Sequence, residues 1–152
     1  PAKSLRNGFS LELEVCLAEM KEKAMLLDCM TGNGTGFRLS AHADGSVSLL
    51  LGDGQTINLW RSEKVLGTGK SNHMVVIVDG GARIISCILN GRFLDGGDER
   101  QYGWARFSPM LMHAIGSNSL NIGAAVGRFN LYGRALKTAE AVIAYLESAR
   151  LR

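Results

Sequence analysis

The sequence predicts an all-β fold: an antiparallel two-sheet β-sandwich of the jelly-roll type with one short C-terminal helix. Three observations favour it. About ten short segments alternate between polar and apolar residues, or are continuously apolar, as strands do. The 19 glycines, against two prolines, supply turns between closely spaced strands. Helical spacing of apolar residues is convincing only near the C-terminus.

The first predicted strand covers residues 9–17, in which every odd-numbered position is apolar. The even-numbered positions carry Ser10, Glu12, Glu14 and Cys16. Such alternation is typical of a half-buried strand, so we expect both glutamates to face solvent. By the same criteria, the remaining strands are predicted at 24–30, 37–41, 46–51, 55–60, 73–79, 82–89, 92–94, 120–122 and 126–132.

Short turns that combine glycine with Asp or Asn mark the hairpins between these strands. Asp44-Gly45, Gly52-Asp53-Gly54 and Asp79-Gly80-Gly81 are turn signals, and Asn90-Gly91 is the strongest two-residue hairpin signal in the chain. After it, residues 95–118 form a long irregular segment with several aromatic side chains, which is typical of packed loops that carry function.

The last predicted element is a helix over 138–150. Thr138 is the expected N-cap, and Glu140 lies in the first turn, where the helix dipole favours an anion. No linker or internal repeat divides the chain. We therefore expect a single domain over residues 1–152, with 1–8 as an N-terminal extension.

Charge and composition exclude several classes of function. Lys and Arg total 17 against 14 Asp and Glu, a net charge of +3 without a basic cluster, so we expect no nucleic-acid partner. No apolar run is long enough for a membrane span. Cys16, Cys29 and Cys87 form no C-x-x-C pair and lie in apolar runs, which favours small buried hydrophobes, although one disulfide stays open.

Motifs for nucleotide or metal chemistry are incomplete. Gly67-Thr-Gly-Lys-Ser71 resembles the end of a P-loop, but the first glycine of that motif is replaced by Lys64 and a strand follows. The three histidines have no local ligand spacing. Aspartates beside glycines serve turns or build a calcium site, for which Asp95 and Asp98 are the candidates. We expect no other cofactor.

Glu12 and Glu14 form a carboxylate pair on one strand face, about 6.6 Å apart along the strand. Retaining glycosidases place two carboxyl groups about 5–5.5 Å apart across the scissile bond. Sandwich-type glucanases carry a third carboxylate on the same strand, and Leu17 occupies its position here. A degenerate glucanase is therefore an alternative that places both glutamates in an open cleft.

Aromatic residues predict a ligand-binding surface. Sugar rings stack on exposed aromatic side chains, while amide, carboxylate and guanidinium groups bind their hydroxyls. Packing within the sandwich is the alternative role for the same aromatic rings. The candidate glycan-binding residues are Trp60, Asp98, Tyr102, Trp104, Arg106 and Asn118.

Several segments together resemble the LamG-like, concanavalin A-like jelly-roll domains of bacterial secreted proteins. Phe9-Ser-Leu-Glu-Leu-Glu-Val15 resembles the family's first strand, and Ser71–Gly80 its "WHHVAVVVDG" strand. Gly127–Glu140 resembles "xEVRIYNRALSxxEI", and Gln101–Pro109 resembles a segment of a subgroup attached to sialidase-like and other glycoside hydrolases. The match covers residues 9–146.

The resemblance implies a secreted, lectin-like module without catalysis, located outside the cell or in the periplasm, although no signal peptide is recognisable in the chain. The implied partner is a glycan or a neighbouring catalytic domain of the same polypeptide. A purely structural domain packed on that neighbour is the alternative. Gly127-Arg128 stands where relatives often have Asp-Glu, which puts the family's calcium in doubt. Arg134 is expected to anchor the last turn to a carboxylate or carbonyls.

Overall fold

The computed structural model describes residues 5–94, 106–111 and 119–152. Within these residues, ten strands form two antiparallel sheets of five, so the predicted β-sandwich with a C-terminal helix is confirmed. The elements are β1 Phe9–Cys16, β2 Ala24–Asp28, β3 Thr35–Ala41, β4 Val47–Asp53, β5 Ile57–Arg61, β6 Ser71–Asp79, β7 Ile84–Leu89, β8 Arg92–Leu94, β9 Asn121–Ile122, β10 Val126–Tyr132 and α1 Thr138–Arg150.

The first sheet has the strand order β10-β1-β6-β7-β8, and the second has the order β5-β4-β3-β2-β9. The first strand of the chain therefore lies between two strands that come much later in the sequence, β6 and β10. This arrangement brings side chains of all three strands together on each face of the first sheet.

The core fills the space between the two sheets. Leu11, Leu13 and Val15 of β1 point into it, and each is at most 1% exposed. From the second sheet, Leu39 and Leu49 meet them and are fully buried. Burial of each such side chain contributes about 1.5–3 kcal/mol, so the odd-numbered positions of β1 hold the sandwich together.

A smaller apolar cluster lies on the outer face of the first sheet, where α1 packs. Val75, Ile77 and Ile88 of the sheet contact Leu136 and Ala141. Because α1 covers this face, β6 is buried on both sides, and Asn72 to Val78 are all buried. The continuous apolar run of β6 reflects this double coverage.

The Asn90-Gly91 hairpin is confirmed. Asn90 has φ +51° and Gly91 has φ +77°, so both central residues adopt the left-handed conformation of a type I′ turn. In addition, a Cβ at Gly91 would lie 2.7 Å from Cδ1 of Tyr145, so only glycine lets α1 pack this close. The turn thus closes β7–β8 and also seats the helix.

Two expectations about individual residues were wrong. Thr138 is the first helical residue and Lys137 is the N-cap, because the Glu140 carboxylate accepts the Lys137 backbone N–H at 2.7 Å. Cys16 is exposed, whereas Cys29 and Cys87 are buried as expected, and all three are free thiols. Burial raises the pKa of Cys87 to about 12.

The even-numbered face of β1 also departs from expectation. Ser10 is fully buried, and the side chain of Glu12 is only 14% exposed. Since α1 and its preceding segment cover this face, β1 is not half-buried, and Glu12 does not project into solvent. The expectation of two solvent-facing glutamates overlooked the C-terminal helix.

Leu5–Asn7 forms a short 3-10 helix whose Leu5 is buried against the core, so part of the expected N-terminal extension packs on the sandwich. Arg134 behaves as expected. Its guanidinium binds the two Glu140 carboxylate oxygens at 2.9 and 2.7 Å. Among the described residues, no helix has the length and apolar character needed to cross a membrane.

Candidate functional site

A polar cavity of about 200 Å³ lies between the outer face of the first sheet and α1. Its size suits a single sugar ring better than a drug-sized ligand, which occupies pockets of roughly 300–1,000 Å³. Strands β1, β6 and β10 form its floor, and the helix forms its wall. The lining residues are Glu12, Leu13 and Glu14 of β1, His73 of β6, Arg128, Asn130 and Tyr132 of β10, and Ala144, Glu147, Ser148 and Leu151 of α1 and its C-terminal end.

Strand register explains why these polar residues meet. Glu14 is paired with His73 on one side and with Arg128 on the other, so the three form one row across the sheet. Glu12 and Asn130 form part of the next row. Side chains of paired residues point to the same face, so polar residues from three distant segments share the outer face.

Glu12 is the centre of the hydrogen bonds in the cavity. Its Oε2 accepts the Tyr132 hydroxyl at 2.5 Å and the Asn130 amide at 3.1 Å. Its Oε1 lies 2.9 Å from Nε2 of His73. Burial alone would raise the pKa of Glu12, but the hydrogen bonds from Tyr132, His73 and Asn130 outweigh it and hold the pKa below its ordinary value.

The same contact acts on the phenol. The hydrogen bond to the Glu12 carboxylate, with a smaller effect of burial, raises the pKa of Tyr132 to about 12. Tyr132 therefore keeps its proton at physiological pH and donates a hydrogen bond to Glu12. The cavity thus presents an ionised carboxylate held in a fixed orientation by three side-chain donors.

His73 is the second buried polar group of the cavity, with a side chain only 1% exposed. Because Nε2 faces a carboxylate, that nitrogen carries a proton and donates. Within the part of the chain that the structure describes, Nδ1 is buried and has no hydrogen-bond partner. The ring faces Tyr145 of α1, with 5.8 Å between ring centroids.

Charged side chains complete the cavity. Arg128 of β10 and Glu147 of α1 are both exposed. Glu14 has a side chain 25% exposed, and its carboxylate lies 3.8 Å from the Arg152 guanidinium, a distance at the outer limit of an ion pair. Three carboxylates and one guanidinium therefore line the cavity among the described residues.

Of the residues predicted from aromatic content, the structure describes Trp60 and Arg106, and neither lines this cavity. Arg106 is exposed and forms an isolated antiparallel bridge with Ile84 of β7. Tyr102, Trp104, Asp98 and Asn118 lie outside the described residues, as does Asp95.

Trp60 requires a correction. It is only 5% exposed and belongs to the core, because it is paired with Leu49 on the inner face of the second sheet. Its ring faces therefore pack against core side chains and are not open to a sugar. The packing alternative holds for this tryptophan.

The turn aspartates follow turn chemistry. Asp53 accepts the backbone N–H groups of Gln55 and Thr56, and Asp79 accepts those of Gly81 and Ala82. The described residues include no group of three or more His, Cys, Asp or Glu side chains that could hold a metal ion. The calcium candidates Asp95 and Asp98 lie outside the described residues, so a calcium site there stays a prediction.

The paired glutamates do line one cavity, as a degenerate glucanase would require. The electrostatics of Glu12 disagree with the role of a general acid, however, because such a group needs a raised pKa and that of Glu12 is lowered. An ionised Glu12 fits a hydrogen-bond acceptor in a binding site, and it would also fit the nucleophile of a retaining pair.

A second polar network connects Glu22, His42 and Ser48. Nδ1 of His42 lies 2.6 Å from Glu22, and its Nε2 lies 2.7 Å from the Ser48 hydroxyl. This order resembles a serine nucleophile with its base, but His42 and Ser48 are each only 6% exposed. We assign the network a structural role: it joins the segment before β2 to the β3–β4 hairpin.

Sequence reasoning missed most of the cavity. Asn130, Tyr132 and Arg128 occur within the segment that resembles the family's last strand, and His73 within the "WHHVAVVVDG"-like strand. Their proximity to Glu12 depends on β10 and β6 both pairing with β1. The alternating pattern of β10 was the available signal, since it places those three residues on alternating positions.

No protein-family model matches the chain, and no curated protein matches it. Solved structures do match. The CBM40 of the Ruminococcus gnavus IT-sialidase superposes with a TM-score of 0.63 at 14% identity, covering 92% of this chain and 83% of that one. The same module bound to α2,3 sialyllactose gives a TM-score of 0.63, also at 14% identity, with 91% and 83% covered.

Larger proteins contain the same fold. The receptor-binding domain of botulinum neurotoxin type G gives a TM-score of 0.66 at 14% identity, with 93% of this chain and 38% of that one covered. Trypanosoma rangeli sialidase gives 0.63 at 19% identity, with 93% and 23% covered. The chain thus spans well under half the length of these two proteins. At such identities the similarity establishes a shared β-sandwich fold.

Proposed function

We propose that this chain is a non-catalytic carbohydrate-binding module that holds one sugar ring in the cavity between the first sheet and α1. The observation that carries the proposal is the fixed arrangement around Glu12. Tyr132, Asn130 and His73 hold its carboxylate in one orientation inside a cavity of about 200 Å³. A few convergent polar groups in a preformed cavity are what selective binding of a polyhydroxylated ligand requires.

The fold supports this proposal. A sialidase CBM40 of similar architecture has been solved with sialyllactose bound, and most of its length is covered by this chain. Together with the LamG-like sequence pattern, this similarity favours an accessory module of a secreted bacterial glycoside hydrolase such as a sialidase. We propose that Tyr102, Trp104 and Arg106, which the sequence predicts as binding residues, add contacts to a longer glycan.

A glycan array with neutral, acidic and amino-sugar glycans, followed by calorimetry on the positive classes, tests the proposal. We expect binding to at least one class, and a clear change of affinity in Arg128→Ala, which removes an exposed charged side chain of the cavity. Arg92→Ala on the exposed side of β8 is the matched control and should bind like the parent chain. Absence of binding to every class would exclude the function, and unchanged binding by Arg128→Ala would exclude the cavity as the site.

A structural role is the second candidate, and a specific surface favours it. Ile57 and Leu59 of β5 are 61% and 64% exposed on the outer face of the second sheet, and Met25 of β2 is 38% exposed on the same face. Exposed apolar side chains grouped on one face are typical of a contact with another domain. This role predicts that Leu59→Ser alters association with a neighbouring domain and leaves glycan binding unchanged.

A further inference from the structure

We infer that the cavity selects a sugar carrying a free ammonium group, an amino sugar, over a sialic acid or an N-acetylated sugar. The inference rests on the proposed function and specifies its ligand. It starts from the charges that line the cavity among the described residues: Glu12, Glu14 and Glu147 against Arg128. Arg152 offsets Glu14 only from the outer limit of ion-pair distance, at 3.8 Å.

Hydrogen-bonding capacity points the same way. A carboxylate offers about four acceptor positions, and Glu12 uses three of them for Tyr132, Asn130 and His73. One acceptor position therefore remains for a ligand. The Tyr132 hydroxyl and Nε2 of His73 are already engaged with Glu12, so among the described lining residues the side-chain donors that remain for a ligand are Arg128, the Ser148 hydroxyl and the second N–H of the Asn130 amide.

His73 provides an independent observation. Its Nε2 donates to Glu12, and its Nδ1, which is an acceptor in the neutral ring, is buried without a hydrogen-bond partner among the described residues. Natural proteins satisfy most buried polar atoms, and an exception points to a missing partner. A donor on the ligand, directly or through one water, would supply that partner.

An ammonium group suits both the surplus of carboxylates and the acceptor positions left on Glu12 and His73. It is positive and has three donors and no acceptor. A sialic acid carboxylate would instead face three carboxylates, with Arg128 as the single guanidinium among the described lining residues. An N-acetyl group keeps one N–H donor and lacks the charge. The structurally similar CBM40 was solved with sialyllactose. This chain would share the fold of that module and differ in the charge of its ligand.

Calorimetry with matched oligosaccharides tests the inference on the intact chain. The probes are a glucosamine tetramer, the N-acetylglucosamine tetramer of equal length, and α2,3 sialyllactose, at pH 7 and low salt. We expect the glucosamine tetramer to bind at least about tenfold more tightly than either other probe. The protein has a net charge of +3, so unspecific attraction cannot favour the cationic probe.

The Glu147→Gln variant tests whether the preference for glucosamine arises in the cavity or elsewhere on the surface. Glu147 is exposed on α1, so the substitution leaves the core untouched, and it should reduce the preference for glucosamine severalfold. Glu19→Gln, which changes the same charge at an exposed site outside the cavity, should preserve the preference. Equal or stronger binding of the acetylated or sialylated probe, or an unchanged preference in Glu147→Gln, would overturn the inference while the glycan-binding function stands. Failure of all three probes together with the array would exclude the function itself.

Discussion

The buried hydroxyl of Ser10 accepts the backbone N–H of Leu136 at 2.9 Å, although the two residues are 126 positions apart in sequence. The same hydroxyl donates to the carbonyl of Arg134 at 2.9 Å. Ser10 therefore holds the segment that leads from β10 into α1 against the first strand. Together with the apolar cluster around Leu136 and Ala141, these two bonds hold the helix, and with it one wall of the cavity, on the first sheet.

Ser10→Ala is expected to destabilise the chain by about 1–3 kcal/mol, the cost of leaving the Leu136 N–H buried without an acceptor. Urea unfolding followed by circular dichroism measures the difference. Ser71→Ala, at an exposed position of β6, is the control and should stay within about 0.5 kcal/mol of the parent. Equal stability of the two variants would show that the Ser10 contacts contribute nothing.

Gly91→Ala should destabilise the contact between α1 and the β7–β8 hairpin. The substitution has two costs: the left-handed φ of +77°, which alone is about 1–2 kcal/mol for a residue with a Cβ, and the 2.7 Å approach of that Cβ to Tyr145. Urea unfolding of Gly91→Ala, Tyr145→Ala and the double variant separates them. The double variant should lose less than the sum of the single losses, because the steric cost disappears with the ring.

Gly67→Ala provides the comparison, since no atom lies within 4 Å of a Cβ at that position and its φ is not in the left-handed range. It should be nearly neutral. Strict additivity of Gly91→Ala and Tyr145→Ala would contradict a contact between these two residues.

Much of the fold could be predicted from local pattern. Alternation over residues 9–17 and the apolar run of β6 each identify a strand, and Asn90-Gly91 identifies a hairpin, because backbone conformation is decided within a few residues. Strand ends and the helix N-cap shifted by one or two residues, since these depend on which hydrogen bond forms. For example, the Glu140 carboxylate accepts the Lys137 N–H, and Lys137 is the N-cap in place of Thr138.

The site could not be predicted in the same way. Glu12, His73 and Tyr132 are far apart in the sequence and meet because β6 and β10 pair with β1 in one register. Nothing local specifies that pairing. Trp60 shows the converse problem. An aromatic residue among polar neighbours suggests a binding residue, but the strand register places Trp60 on the inner face of the second sheet.

Acid should weaken the start of α1 through Glu140. Hydrogen bonds from the Arg134 guanidinium and the Lys137 N–H lower the pKa of Glu140 to about 2 from an ordinary value of 4.5. A lowered pKa stabilises the fold above the ordinary value, and this stabilisation is lost as the pH falls from about 4.5 towards 2. Melting temperatures of the parent and Glu140→Gln should therefore differ above pH 5 and converge near pH 2. A constant difference across this range would contradict the assignment.

The Tyr132 phenol reports directly on the charge of Glu12. In the parent chain its pKa is raised to about 12, first by the hydrogen bond to the carboxylate and then by burial. Glu12→Gln removes the negative charge, and although an amide still accepts a hydrogen bond, the phenolate is no longer beside an anion. We expect the Tyr132 pKa to fall towards its ordinary value of 10.0. NMR titration of labelled tyrosine, with Tyr132→Phe to assign the resonance, measures the shift over the range in which circular dichroism shows a folded chain. An unchanged Tyr132 titration in Glu12→Gln would mean that Glu12 is not the anion at the centre of the cavity, and the binding role proposed for that carboxylate would lose its physical basis.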